Sequence, residues 1–346
     1  MEYKDQVNRD NILCLKRLCG TLPPYLEDYF RAIENRTSSR TRVAYAYDLN
    51  VFFNWLVTTP DFEKRETTSI TIEELENLPV TELDKFLEYV KYYDPDGAEH
   101  FNGDSTIKRK ATAVKSLYNY LLKTEKIKIN PAALLESPKL HEKNIVRLDE
   151  GEVAELLDEV ESGDKLTAHQ QVYHNKTAIR DVAIVTLLLG TGIRVSECVG
   201  LNVTDYDNRE GCIRIYRKGG KESTVYFGDE VMEAMEAYME QRQHMVPKAG
   251  HEDALFLSIQ KTRMGVRAVE KLVKKYTQLV TTYKKITPHK LRSTYGTSLY
   301  KETGDIYLVA DVLGHTDVNT TKKHYAAIDE EQRRSARNKV KLRKDD

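Results

Sequence analysis

Six residues able to hold negative charge, move protons or attack as an oxygen nucleophile recur along the second half of the chain: Arg194, Lys218, His289, Arg292, His315 and Tyr325. Arg194 stands in TGIRVSE just past the end of an apolar run, with Glu197 one helical turn further on. HKLR, 289–292, follows Thr287-Pro288 and so opens a helix, on which His289 and Arg292, three apart, share a face. Lys218 occupies the tip of RKGGK, and LGHTDVNTTKKHY sets His315 and Tyr325 near the end of the chain. Fixed guanidinium charge, imidazole and ammonium proton carriers and a phenol together suit acid–base and covalent chemistry. Each group also has an ordinary role. Arg194 and Glu197 make a plain helix-cap ion pair, a hairpin-tip lysine can point into solvent, and Tyr325 is one of 21 tyrosines. The joint occurrence in this order sets the group apart.

The elements that must carry these residues follow from periodicity. Residues 25–57 predict two helices, the second capped at Thr37-Ser38-Ser39 with Val43, Tyr47 and Phe52 on its apolar face. Further helical patterns cover 71–93 and 105–126. In the latter Ile107, Ala111, Val114, Leu117, Leu121 and Leu122 fall on one side, with Lys108, Arg109, Lys110 and Lys115 opposite. This predicts an all-helical first domain with a basic outer surface. Asn130-Pro131 ends it, and the charged, proline-containing 137–147 reads as a linker. Beyond it, Asp149 caps an acidic helix and 161–178 reads as a loop or short insertion. Residues 179–190 form an apolar helix ended by glycine, and 211–227 alternate around Lys-Gly-Gly-Lys as a β-hairpin. Helices are expected again at 229–243, 263–282, 288–303 and 305–313. The fold class is therefore mainly α, with a second domain of α+β character holding a small antiparallel sheet.

At 346 residues the chain is long enough for two globular domains. No apolar run approaches the roughly 18 residues of a membrane span, and the first twenty residues lack a signal peptide's pattern, which predicts a cytoplasmic protein with no membrane partner. Cys14, Cys19, Cys198 and Cys212 show no CxxC spacing, so reduced thiols and no metal or other cofactor are expected. The net charge of −1 conceals segregation: residues 149–164 hold eight acids and no base, 261–301 eleven bases and one acid, and 101–143 nine bases and four acids. Such segregation can make a basic face suited to a phosphate backbone on a neutral protein. Solvated helix faces would give the same counts.

Arg194 in TGIRVSE, Lys218 in RKGGK, His289 and Arg292 in TPHKLR, His315 in LGH and Tyr325 in HY resemble the arginine–lysine–histidine–arginine–histidine–tyrosine set of the tyrosine recombinases, the phage-integrase family, with Xer-type members most similar. The likeness spans about 24–330. It implies a site-specific recombinase that cleaves and rejoins duplex DNA through a 3′-phosphotyrosine, using no cofactor. Tyr325 would be the nucleophile, Arg194 and Arg292 would hold the non-bridging phosphate oxygens, and Lys218 would protonate the departing 5′ oxygen. His289 would take or relay the phenol proton, His315 would donate a hydrogen bond to the phosphate, and Glu197 would support its neighbours. Lys108, Arg109, Lys110 and Lys115 would bind DNA.

The implied layout is an N-terminal extension at 1–23, a helical, SAM-like core DNA-binding domain at 24–136, the linker at 137–147, the catalytic domain at 148–330 and a tail at 331–346 that docks in trans. By the same resemblance the two domains close as a C-shaped clamp on double-stranded DNA bearing a specific site. Exchange would run in a homo-tetramer, alone or with a second recombinase or accessory protein, for chromosome-dimer resolution or for mobile-element integration and excision. The sequence departs from the family pattern in the interval from His315 to Tyr325, which is ten residues rather than the usual nine; the ninth position holds His324. Ser293 and Ser223 stand where a histidine and an arginine are common. Lys221 competes with Lys218 for the hairpin role. A topoisomerase of type IB, an inactive DNA-binding accessory protein and a helical interaction protein are the alternatives.

Overall fold

The computed structural model describes residues 3–63, 65–94, 97, 99–139, 146–217, 220–315 and 318. The chain divides into two compact units between residues 143 and 144. In the first, helices α1 (Tyr3–Cys19), α2 (Tyr25–Ala32), α3 (Ser39–Leu56), α4 (Ile72–Glu76), α5 (Val80–Tyr89) and α6 (Asp104–Lys123) surround one apolar core. Leu49, Phe52 and Phe53 of α3 meet Phe86 of α5 and Val114 and Leu117 of α6 there, all inaccessible to solvent. Pro79 separates α4 from α5 within the expected 71–93 helix, since it cannot continue a helix from its N-terminal side. The extension folds too: α1 packs along α3, with Leu15 and Leu18 against the core.

Three further expectations for this unit are corrected. A two-residue ladder, β1 (Tyr92–Tyr93) with β2 (His100–Phe101), interrupts the all-helical pattern. Tyr47 and Leu122 are exposed rather than core residues. Lys110 is not on the outer face of α6: it is buried with its ammonium 3.3 Å from the Asp48 carboxylate, to which Arg109 also donates. Burial pushes the Asp48 carboxyl up, and the two cations oppose that shift. Lys108 stays exposed and Lys115 half-buried.

The second unit is built on α8 (Ala168–Thr191), packed against α7 (Glu150–Ser162), α10 (Asp229–Gln243) and α12 (Pro288–Thr303). Its polar first half belongs to the stretch expected to be a loop or insertion. Thr167 and Gln170 form a capping box that starts the helix, and buried His174 reaches the Tyr276 hydroxyl on α11 (Val266–Val280) at 2.9 Å, so polar tertiary contacts rather than an apolar stripe hold this half. Gly190 does not end the helix. It lies within α8 where Val231 of α10 approaches, and α8 runs on to a left-handed Gly192.

The hairpin appears as β4 (Cys212–Tyr216) and β5 (Glu222–Tyr226), with Tyr216 opposite Glu222 and a third strand, β3 (Tyr206–Asp207), on the other edge of β4. Cys212, Ile213 and Ile215 are buried, while Arg214 and Tyr216 are exposed. Helices α9 (Val195–Gly200) and α13 (Ile306–Leu313) complete the unit. Tyr300 of α12 packs on Val309 and Leu313 of α13, which places the C-terminus of α13 beside the end of α8. No helix among the described residues is long and apolar enough to cross a membrane.

Candidate active site

Two left-handed glycines build the site. Gly192, at φ +61°, stops α8, its N–H bonding the Leu188 carbonyl, and the chain then extends through Ile193 to Arg194, the residue preceding α9. Gly314, also at φ +61°, stops α13, and the His315 N–H returns to the Ala310 carbonyl at 2.9 Å. A side chain at 192 would run into Tyr295 and Leu313, so both the backbone angle and the space require glycine. The two stops bring Arg194 and His315 to the same place from positions 121 residues apart.

Arg292 holds the stops together. It is 4% exposed, its Nη1 donates to the Gly192 carbonyl at 2.6 Å, and its Nη2 donates to the Leu313 carbonyl. Both acceptors belong to helix ends, where carbonyls lack intrahelical partners and carry the negative end of the dipole. Arg194 is held by Glu197, whose carboxylate accepts from the Arg194 backbone N–H at 2.7 Å and from Nη1 at 2.9 Å. The helix-cap ion pair is thus present, and it leaves the Arg194 side chain 38% exposed, with Nη2 3.4 Å from the Gly314 carbonyl. His289 lies exposed in the first turn of α12, directly after Pro288, and its carbonyl accepts from Ser293 Oγ at 3.1 Å.

Arg194, Glu197, Arg292 and His315 are therefore assembled at one pair of turns. Lys218 and Tyr325 fall outside the described residues, as does the tail at 331–346. Lys221 is exposed, and its carbonyl accepts from the Arg217 N–H at 2.9 Å, closing the hairpin. Arg217 is the residue that sequence reasoning misses. Its guanidinium donates to the carbonyls of Asp311 at 3.2 Å and Val312 at 2.7 Å, and it fills the space a side chain at Gly314 would need. Nothing in the strand's alternation points to a partner some 95 residues away. Three arginines thus cap the four successive carbonyls from Asp311 to Gly314.

Such a set, cationic and joined by helix-end carbonyls, suits a bound phosphodiester. Comparison with known proteins bears on it directly: the model of the phage integrase family matches residues 146–332, more than half of the chain and the whole of this site. The chain belongs to the phage integrase family. It is similar to the tyrosine recombinase XerC of Caldanaerobacter subterraneus subsp. tengcongensis, 34% identical over 92% of this chain and 87% of that protein. It is also similar to the tyrosine recombinase XerS of Lactococcus lactis subsp. cremoris, 29% identical over 92% and 96% of the two chains. Among solved structures, XerH bound to its palindromic difH substrate after cleavage matches with a TM-score of 0.64 at 20% identity, over 87% of this chain and 80% of that one. A lambda integrase dimer on a COC′ core site matches with a TM-score of 0.61 at 14% identity, over 86% and 96%; at these identities both establish the fold. As a phage integrase family member the chain is a Xer-like tyrosine recombinase, an enzyme that recombines DNA.

Proposed function

We propose that Tyr325 is the nucleophile with which this recombinase cleaves duplex DNA at a specific site, and that the six residues singled out in the sequence form its active site. The observation that carries the reading is Arg292: one buried guanidinium joins the two turns that present Arg194 and His315. The Tyr325 phenolic oxygen attacks the phosphorus, its proton passing to His289. The bond from phosphorus to the 5′ oxygen breaks, and Lys218 supplies the proton that makes that oxygen a hydroxyl. Attack by a 5′-hydroxyl of the partner strand reverses each step and restores the phosphodiester, so no external energy source is consumed.

Negative charge grows on the non-bridging oxygens at the transition state, where preorganised donors act most strongly. Arg194 presents its guanidinium from the exposed side of the turn, with Glu197 as its positioning residue. Each terminal nitrogen of Arg292 carries two hydrogens, one directed at a carbonyl, and this arrangement fixes the plane in which the phosphate meets it. His315 donates to the phosphate from the turn after Gly314.

On the same reading the partner is double-stranded DNA, exchange takes place in a homo-tetramer in the cytoplasm, and the tail at 331–346 docks on a neighbouring protomer. Lys108, Arg109 and Lys115 approach the phosphate backbone, while buried Lys110 is set aside. The likeness to XerC and XerS over most of their lengths supports chromosome-dimer resolution rather than mobile-element transfer. The test uses a nicked suicide substrate and a plasmid carrying two directly repeated chromosomal sites. The intact protein should form a denaturant-resistant adduct and resolve the plasmid, and Tyr325→Phe should do neither while still binding duplex. An adduct with Tyr325→Phe would move the nucleophile elsewhere, relaxation of plasmids lacking paired sites would indicate a topoisomerase, and resolution confined to mobile-element ends would reassign the role.

A further inference from the structure

Arg217 has no place in the reaction described above, yet both its backbone and its side chain are held. It directly follows β4, and its own N–H and carbonyl close the hairpin turn, the first to Lys221 at 2.9 Å and the second from Gly220 at 3.0 Å. Its side chain leaves the hairpin altogether and caps the Asp311 and Val312 carbonyls at the C-terminus of α13, one turn before His315. Nε is buried without a partner among the described residues. Burial also lowers the guanidinium's proton affinity, as does nearby Arg194, while Glu197 and Asp311 act the other way. Burying an arginine beside a second one is costly, and helix-end carbonyls could be satisfied by water more cheaply. The cost is explained if the contact fixes one part of the site against another.

We propose that Arg217 is a positioning residue that locks the β4–β5 hairpin to the C-terminal turn of α13, so that the leaving-group side of the reaction stays in register with the side that holds the phosphate. The inference rests on the assignment of the general acid to Lys218, the next residue in the chain after Arg217. The anchor, from Arg217 to the Asp311 and Val312 carbonyls, lies wholly among the described residues. Gly314 is part of the device, because any side chain there would occupy the space of the Arg217 guanidinium.

The experiment compares cleavage of an ordinary phosphodiester with that of a 5′-bridging phosphorothiolate, whose thiolate leaves without a proton. Full-length Arg217→Ala, Arg217→Lys and Lys218→Ala proteins are measured on both substrates. Arg217→Ala should lose about 10²-fold on the ordinary substrate, the scale of a misplaced catalytic group, and recover to within about tenfold of the unaltered protein on the phosphorothiolate. Activity on the second substrate also shows that the variant has folded. Arg217→Lys, which keeps a donor for one carbonyl, should fall between the two. If Lys218→Ala is rescued and Arg217→Ala is not, the anchor acts elsewhere and the proposal is wrong while the Lys218 assignment stands. If Lys218→Ala is not rescued, the general acid is another group and both fall together. Should Arg217→Ala prove insoluble, Arg217→Lys alone decides: equal impairment on both substrates overturns the proposal.

Discussion

Arg194 and Arg292 look equivalent in the sequence and are not equivalent in the fold. Arg292 is buried and bonded to two backbone carbonyls, whereas the Arg194 side chain is partly exposed and held by one carboxylate. Replacing Arg292 leaves buried carbonyls without donors, each such loss costing about 1–3 kcal/mol. Arg292→Ala should therefore lower unfolding free energy by roughly 3 kcal/mol in addition to abolishing cleavage. Arg194→Ala should cost less than about 1 kcal/mol of stability, as partly exposed ion pairs do, while cleavage falls about 10²-fold or more, like loss of an oxyanion donor. Denaturant titration alongside cleavage of the nicked substrate checks both. Equal stability losses would mean that the carbonyl bonds of Arg292 contribute nothing that the Arg194–Glu197 pair does not.

At the level of elements, helix ends do much of the organising. Thr71 and Glu74 form a capping box at the start of α4, and Arg65 reaches across to the same Glu74 carboxylate, which it pulls down to about 2. A carboxyl whose folded-state proton affinity is depressed stabilises the fold fully above the ordinary glutamate range, and the contribution is lost as pH falls toward 2. Glu74→Gln should then be slightly less stable than the unaltered protein at pH 7, with the two urea midpoints converging as pH approaches 2. The difference is small because both side chains are about one-third exposed. A gap that persists at pH 2 would show that the glutamine disturbs the cap itself rather than the charge.

For the whole molecule, a net charge of −1 says little about nucleic-acid binding, because acids gather at 149–164 and bases elsewhere. On α6 the structure sorts the bases further: Lys110 and Arg109 are engaged with Asp48, and Lys108 and Lys115 face outward or sit half-buried. Each lysine that meets a phosphate contributes about 0.9 to the salt slope of binding. Lys108→Ala with Lys115→Ala should flatten the slope by roughly two and weaken half-site affinity. Truncation after Asp329 should leave the half-site titration nearly unchanged and weaken assembly of paired sites, as expected of a tail that docks on protein. A gel-shift titration at two salt concentrations measures both. A slope unaltered by the lysine changes would show that α6 does not bind the backbone; a much flatter slope after truncation would make the tail a DNA-binding arm.

Local physical rules make much of this protein legible in its sequence. Apolar periodicity marks α10 to α13 within a few residues, alternation around Lys-Gly-Gly marks the β4–β5 hairpin, and Pro288 marks where α12 begins. The order of Arg194, Lys218, His289, Arg292, His315 and Tyr325 is enough to point to the family, because residue type and succession are properties of the chain alone. Long-range partnership is not. A capping box and a buried His174–Tyr276 bond make helix of a polar stretch with no apolar stripe, and Asp48, 62 residues away, takes Lys110 out of solvent. Gly192 and Gly314 become the frame of the site only when α8 and α13 end side by side, and Arg217 and Arg292 find their acceptors there. Helix-end carbonyls are present in every helix; which side chain reaches them is decided by packing, and packing exists only once the chain has folded.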